Sequence, residues 1–278
     1  MKTAVIIPAH NMERLIHKAI GSVKAQTVPP DEIIVASDGS TDNTVKIARE
    51  LGVTVLDLPK GNGNVARNAG YRASSAELLF FLDSDDWYFP EKIERHIKQQ
   101  TLGDYSVVID PCTAISEEGF ILRLCGPALN GPIEYKKFLS RTYWYGGSAM
   151  SVRRDKLDAI GGWREELPSQ QDVDVWLRLA HENGPGFVMA DSLTFYLQST
   201  GSLSRTPKTV EKNLGILLSG LPFLSHNEKR QLWSHVIFTA ADNLPISKAW
   251  PYLRTATDRI LDPRFLKSVI RSLRKGLS

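Results

Sequence analysis

Four short apolar runs, separated by stretches of helical periodicity, open the chain and restrict its fold more than any other feature. "TAVIIP", "EIIVAS", "VTVLDL" and "ELLFFL" read as strands, and "NMERLIHKAIGSVKAQ", "TDNTVKIARELG" and "NVARNAGYRAS" between them read as helices. The first helix spaces Leu15, Ile16, Ala19, Ile20 and Val23 along one side. Strands that are apolar throughout, rather than at alternate residues, are covered on both faces. The expectation is an α/β fold, a mostly parallel sheet flanked by helices. Open sheets of this kind take their ligands beyond the carboxyl ends of the strands. Chemistry is therefore expected in "PAHN", "SDGSTDN" and "DSDDW", each of which directly follows a strand.

The last of these segments is the most demanding electrostatically. "FLDSDDWYFPEK" puts Asp83, Asp85 and Asp86 together at the end of a buried strand. A turn whose aspartates cap a helix starting near Pro90 is one way to accommodate them. A bound cation is the other: two carboxylates and a diphosphate offer the hard oxygen ligands that Mg²⁺ or Mn²⁺ prefers. D-x-D is a weak motif alone, and its place after the fourth strand is what singles it out.

"IIVASDGSTDNT" combines an Asp-Gly turn with a Ser/Thr helix start, and Asp38 at the strand end can accept hydrogen bonds from a nucleotide base. "GNGNVARN" is a glycine-rich loop before a helix, lacking both the P-loop ending and the GxGxxG fingerprint. Arg67 on that helix faces either a phosphate or solvent. In "LPSQQDVDVWLRL", Ser169 and Asp172 have the spacing of a capping box, and Asp174 and Trp176 follow on the same helix. A carboxylate in a first helical turn is held ionised by the helix dipole, as a general base requires.

The pattern then loosens. "SVVID", "GFILRL" and "GSAMSVRR" read as strands and "SQQDVDVWLRLAHENG" as a helix; after "TFYLQSTGSLSR" the chain is almost wholly helical. The net charge of +3 over 278 residues is unevenly spread: 13 Lys/Arg face 5 Asp/Glu from Arg205 onward, against 21 and 26 before it. An acidic front and a basic tail do not suit a general nucleic-acid binder. Cys112 and Cys125 are too few for a disulfide scaffold and form no metal-ligand cluster, so reduced thiols in a cytoplasmic protein are expected. The apolar run ended by Pro8 is too short for a signal peptide, and no stretch approaches the ~20 apolar residues that span a bilayer.

"AVIIPAHNMERLIHKAIGSVKAQTVPPDEIIVASDGSTDNT", then "ARNAG", "FLDSDDWYFPEKI" and "GGWREELPSQQDVDVWLRL", resemble in order and spacing the motifs of glycosyltransferase family 2. The resemblance covers residues 1–204 and implies a GT-A fold, with a nucleotide-binding half over 1–105, an acceptor half over 106–204, and a helical C-terminal region over 205–278. It implies an inverting enzyme of cell-surface polysaccharide synthesis. Such an enzyme moves a sugar from a nucleotide-sugar, most readily a UDP-sugar, to a hydroxyl of a glycan or lipid-linked acceptor. By the same resemblance Pro8, Ala9, His10 and Asp38 line the base and ribose pocket, and Arg67, Asp83 and Ser84 contact the donor. Asp85, with Asp83, holds Mn²⁺ or Mg²⁺, and Asp172 is the general base. Trp163, Gln171 and Asp174 belong to the acceptor side.

Three positions depart from the family pattern. Ser37 precedes Asp38 where a second acidic residue is common. Gln171 stands where Glu usually precedes the base, which removes a negative neighbour and makes Asp172 less basic unless Asp174 compensates. Ser199 stands where a histidine is frequent, which puts a third metal contact in doubt. These departures keep open a nucleotide- or glycan-binding module without turnover. A sugar-nucleotidyltransferase would need a basic triphosphate loop that "PAHNMERLI" lacks. Finally, "RFLKSVIRSLRKGL" winds into a helix with Phe265, Leu266, Val269, Ile270, Leu273 and Leu277 on one side and basic residues opposite. It reads either as a packed terminal helix or as a peripheral contact of 264–277 with the inner face of an anionic membrane.

Overall fold

The structure is a computed structural model that describes residues 1–126, 129–141, 146–198, 207–242, 246–253 and 269. The chain divides into two units, Met1–Thr200 and Gly201–Ser278. In the first, strands β1 (Thr3–Ala9), β2 (Glu32–Asp38), β3 (Thr54–Leu58) and β4 (Leu78–Phe81) alternate with helices α1 (Ile16–Lys24), α2 (Thr44–Glu50) and α3 (Gly63–Ala73). Then come β5 (Trp87–Tyr88), α4 (Lys92–Leu102), β6 (Val108–Ile109), β7 (Cys112–Ile115), β8 (Ile121–Cys125), β9 (Gly131–Ile133) and α5 (Tyr135–Arg141). A 3-10 turn, Gly147–Ala149, leads into β10 (Met150–Arg153), α6 (Arg154–Ala159), α7 (Gln171–Glu182), β11 (Gly186–Val188) and β12 (Thr194–Leu197).

Two sheets result. The larger runs β3-β2-β1-β4-β10-β6-β11-β9, with β1 to β4 mutually parallel and β10 antiparallel to both its neighbours. The smaller runs β5-β12-β7-β8. The parallel strands read from the apolar runs are buried along β1 and β4, and α1 packs Ile16, Ala19, Ile20 and Val23 into the core they cover. Helix α3 lies so close to β1 that a Cβ on Gly70 would sit 2.4 Å from Ile6 Cγ2. That position excludes any larger residue and sets how near α3 brings its side chains to the strand ends.

The smaller sheet was not legible as a unit, because its strands are two to five residues long and come from distant parts of the chain. Its contact with the large sheet includes a buried polar cluster. Lys92, His96 and Asp110 are fully buried: Lys92 donates to Asp110 and to Thr194 Oγ1 (3.0 Å), and His96 Nε2 lies 3.0 Å from Asp110 Oδ1. Asp110 Oδ2 also accepts from Leu193 N–H (3.0 Å) and Thr194 Oγ1 (2.8 Å).

The second unit is helical where described, with α8 (Pro207–Ser219), α9 (His226–Asp242) and α10 (Ile246–Leu253). Among the described residues no helix is long and apolar enough to cross a membrane. The amphipathic stretch 264–277 lies outside the described residues apart from Val269, and Ser199 also lies outside them.

Candidate functional site

The carboxyl ends of β1, β2 and β4 open on one cleft of about 190 Å³, lined by Pro8, Ala9, His10, Asp38, Gly63, Arg67, Asp83, Ser84 and Asp85. This is where ligand sites of parallel sheets fall. Register accounts for the convergence: Pro8 and Ala9 pair with Ala36 and Ser37, so β1 and β2 end together and Asp38 follows at the rim.

Asp38 is buried and doubly held. Gly61 N–H donates to Oδ1 at 2.6 Å and Lys60 Nζ to Oδ2 at 2.8 Å. Burial alone would raise its carboxyl, but the hydrogen bonds and the charge of Lys60 outweigh it and lower it below the usual range. The turn beyond needs glycine: Gly39 has φ +64°, and a Cβ there would lie 2.8 Å from Lys60 N. Ser37, in place of a second acid, is fully buried and accepts from Ser40 N–H at 3.3 Å. His10 Nδ1 is buried without a hydrogen-bond partner in the same wall.

The acidic loop shows how three aspartates are accommodated. None caps α4, whose N-cap is Glu91 with no side-chain bond. Instead they divide. Asp86 turns inward, accepting from Leu197 N–H (3.0 Å) and from Ser148 Oγ (2.5 Å). Burial, then the charges of Asp85 and Asp83, push its carboxyl well above the usual range. Ser148 also accepts from Asp83 N–H at 2.9 Å, so one hydroxyl clamps both ends of the loop. Asp83 and Asp85 remain on the cleft. Asp83 Oδ1 accepts from Arg67 Nη2 at 2.6 Å, whereas Asp85 is pushed up to about 6 by burial and by Asp83 beside it.

Arg67 is held from every side. Helix α3 starts where Asn62 accepts from Asn64 N–H (2.9 Å) and Val65 N–H (3.2 Å), and one turn on Arg67 projects to the cleft. Its Nη1 donates to Asn64 Oδ1 (3.1 Å) and Gln171 Oε1 (2.9 Å), and its guanidinium lies 4.9 Å from the Trp163 ring centroid. Its Nε is buried and unpartnered. Arg67 is thus buried rather than turned to solvent, and it links Asp83 to the first residue of α7.

Gln171 and Asp172 open α7, whose N-cap position is Gln170 rather than Ser169; Gln170 lies in the left-handed region at φ 60° and makes no side-chain cap bond itself. Asp172 Oδ1 accepts from Val173 N–H at 2.9 Å. Burial, above all, raises its carboxyl to about 6; the charge of Asp83 adds to this, while the Val173 N–H and Arg67 oppose it. Asp174 is placed differently. It is fully enclosed, 3.1 Å from Arg164 Nη1 and 2.5 Å from Arg178 Nη2, so it braces the helix base and cannot compensate for Gln171 at Asp172. Trp163 is likewise buried, edge-on to Phe81, and forms the floor beneath Arg67.

Lys60, Ser148 and the inward role of Asp86 escaped the sequence. Ser148 reads as the start of a strand, and nothing local shows that its hydroxyl reaches back sixty-odd positions to Asp83 and Asp86.

The chain belongs to glycosyltransferase family 2: the family's profile, described as glycosyl transferase family 2, matches residues 4–161. Among curated relatives, an uncharacterized glycosyltransferase of Rickettsia felis is 30% identical over 185 residues, which is 63% of this chain and 31% of that protein. The Bacillus subtilis glycosyltransferase YwdF is 33% identical over 193 residues, covering 66% of this chain and 69% of that one. The match to the Rickettsia protein and to its Rickettsia conorii counterpart thus spans about a third of their length. Among solved structures, S. aureus TarS 1–349 in complex with UDP-GlcNAc superposes with a TM-score of 0.70 at 18% identity, over 97% of this chain and 82% of that one. TarS 1–349 in complex with UDP gives 0.68 at 16% identity, over 99% and 89%. The fold is GT-A.

Proposed function

We propose that the protein transfers a sugar from a nucleotide-sugar, a UDP-sugar in the first instance, to a hydroxyl of a glycan or lipid-linked acceptor, with inversion at the anomeric carbon. The observation that carries the reading is the linkage Asp83–Arg67–Gln171, which joins the acidic loop to the residue beside Asp172 across one cleft. A carboxylate and a cationic guanidinium at the strand ends suit a diphosphate donor, and a partly buried carboxylate on the facing helix suits proton removal. The TarS complexes with UDP and UDP-GlcNAc, on the same fold, support a uridine nucleotide as the donor's carrier.

In this reading Pro8, Ala9, His10 and Asp38 hold the nucleoside. Asp38 is ionised and already oriented by Gly61 and Lys60, so it accepts from the donor without rearranging. Arg67 contributes its charge to the diphosphate, with Ser84 and Asp83 beside it. Asp172 takes the proton from the acceptor hydroxyl as that oxygen attacks the sugar. Its raised value brings its basicity nearer to working pH than an ordinary aspartate. Because a single base suffices for an inverting displacement, no nucleophilic carboxylate is needed.

The two cleft carboxylates also fit a divalent cation. Asp85 is pushed up by burial and by its neighbour Asp83, a like-charge cost that a cation would relieve, and hard oxygen pairs suit Mn²⁺ or Mg²⁺. Among the described residues no group of three or more His, Cys, Asp or Glu is placed to hold a metal ion, so diphosphate oxygens and water would complete the shell. When bound, the metal would stabilise the charge gathering on the departing diphosphate. Asp85 and Asp83 would hold it.

Isothermal titration with UDP and GDP, with and without Mn²⁺, alongside Asp85→Ala, tests the reading. Manganese-dependent binding of UDP, lost in the variant, is the expected result. Binding of neither nucleotide at millimolar concentration would overturn it.

A further inference from the structure

Cys112 on β7 and Cys125 on β8 are direct partners across an antiparallel pair, and both are free and buried. Residues directly opposed in this way lie ~4.5–5.5 Å apart at Cα and send their side chains to the same face. Disulfides form at Cα separations of ~4.4–6.8 Å. The backbone therefore already has the spacing of a cross-strand bridge. Side-chain contacts agree with this placement. Arg123 Nε, two residues along β8 on that face, donates to Cys125 Sγ at 3.4 Å, and Gly146 N–H donates to Cys112. Neither thiol takes part in the site described above.

The two positions differ in access. Cys112 lies in the middle of the small sheet between β12 and β8, enclosed, and burial raises its thiol well above the ordinary range. Cys125 ends the edge strand β8, whose Ile121, Leu122 and Leu124 are exposed, and it retains 8% exposure itself. A small oxidant approaching the sheet edge meets Cys125 first.

We propose that Cys112 and Cys125 form a reversible intramolecular disulfide when the protein meets a low-molecular-weight disulfide. The Cys125 thiolate attacks one sulfur of the small disulfide and expels a thiolate, leaving a mixed disulfide. Cys112 loses its proton and attacks the Cys125 sulfur, and the second small thiolate leaves. Two electrons and two protons pass from the protein to the oxidant, which ends as two thiols. The bridge closes the base of the β7–β8 hairpin. It also lies one hydrogen bond from Gly146, which precedes the turn carrying Ser148.

The test treats the full chain with glutathione disulfide, then denatures it, alkylates it with N-ethylmaleimide, and reads intact mass and tryptic peptides. The expected result is a mass lower by two hydrogens, no alkylation of either cysteine, and one peptide pair joined through Cys112 and Cys125. Both adducts should return after dithiothreitol. Cys112→Ser should stop at a glutathione adduct on Cys125. Full alkylation of both cysteines in the oxidised wild type, a stable glutathione adduct without the bridge, or a bond between two chains on a non-reducing gel would each overturn the proposal. These readings use the wild-type protein and hold even if the variant folds poorly.

Discussion

Arg67 and Asp83 meet at 2.6 Å, with the Arg67 side chain buried and the Asp83 side chain one-third exposed to the cleft. The pair is asymmetric: the cation is locked by Asn64, Gln171 and Trp163, whereas the anion keeps a free oxygen. A locked guanidinium beside a half-free carboxylate is prepared to exchange partners when a diphosphate or a cation arrives. Gln171 matters here. It takes one Arg67 amine with a neutral oxygen, its own amide fixed by a bond to the Leu167 carbonyl at 3.1 Å, so that Arg67 keeps charge for a ligand.

Arg67→Lys tests this arrangement. A lysine keeps the charge but is a point donor that cannot serve Asp83, Gln171 and Asn64 together. Loss of a charge-assisted contact of ~1.5–3 kcal/mol corresponds to roughly 10- to 100-fold weaker UDP binding, read by titration calorimetry. Affinity within about twofold of wild type, against that ~10-fold minimum, would show that Arg67 does not reach the nucleotide.

Asp172 sets a pH dependence. In the proposed role of base, with its carboxyl raised to about 6, Asp172 would be protonated and idle below that pH. The rate of the chemical step should fall about tenfold per unit as pH drops below the value of Asp172, with a plateau above it. Asp172→Asn should remove the limb together with nearly all turnover. A rate that stays flat through this range in the wild type would remove Asp172 from the role.

The sequence carried the parallel strands, the three strand-end segments and the acidic pair Asp83 and Asp85, because these depend on local periodicity and on position after a strand. It did not carry the relations between segments. That Ser148 clamps the acidic loop, that Asp174 is spent on Arg164, and that Trp163 floors Arg67 are all set by tertiary contacts about ten to one hundred positions apart. The helix entry is set the same way: Ser169 and Asp172 have the spacing of a cap, but the N-cap position falls on Gln170, in the left-handed region.

Asp85 should trade stability for binding. Its folded value is raised to about 6, so the folded state holds a proton that the unfolded chain releases near the ordinary aspartate value. Stability therefore falls as pH rises between those two values, and the deficit is fully present at pH 7. Asp85→Asn should raise stability at neutral pH by on the order of 1–2 kcal/mol after solvent screening, about 2–4 °C per kcal/mol in melting temperature. The gain should vanish at acid pH, while manganese-dependent nucleotide binding is lost throughout. Thermal melts of both proteins from acid to neutral pH provide the measurement, and an unchanged melting temperature at pH 7 would contradict the assignment.

Ser148→Ala removes the hydroxyl that joins Asp83 to Asp86. Asp86 is buried and would keep only the Leu197 N–H, so the expected loss is ~1–3 kcal/mol, the cost of an unsatisfied buried polar group. Freed at Asp83 N–H, the loop should also bind nucleotide less well. Ser148→Thr, which retains the hydroxyl, should recover most of the binding; a Thr variant no better than Ala would argue for packing instead.

The buried Lys92–Asp110–His96 cluster makes the joint between the sheets dependent on charge. Asp110 receives hydrogen bonds from Lys92, His96, Thr194 and the Leu193 N–H, so Lys92→Met leaves a buried carboxylate short of its cation. Breaking one side of a buried pair in this way costs about 3–5 kcal/mol, far more than any exposed ion pair of this chain should contribute. His96 adds a pH dependence of opposite sign to that of Asp85. Burial first, then the charge of Lys92, lower it to about 4 despite Asp110, so it is neutral in the folded state. An unfolded histidine takes up its proton near pH ~6.5, so the unfolded state binds more protons as pH falls from there and folding weakens. Denaturant titrations of wild type and His96→Gln across that range should show a shallower acid loss in the variant, which cannot take up a proton. Parallel curves for the two proteins would mean that His96 is already protonated in the folded state, and that Asp110 carries two cations rather than one.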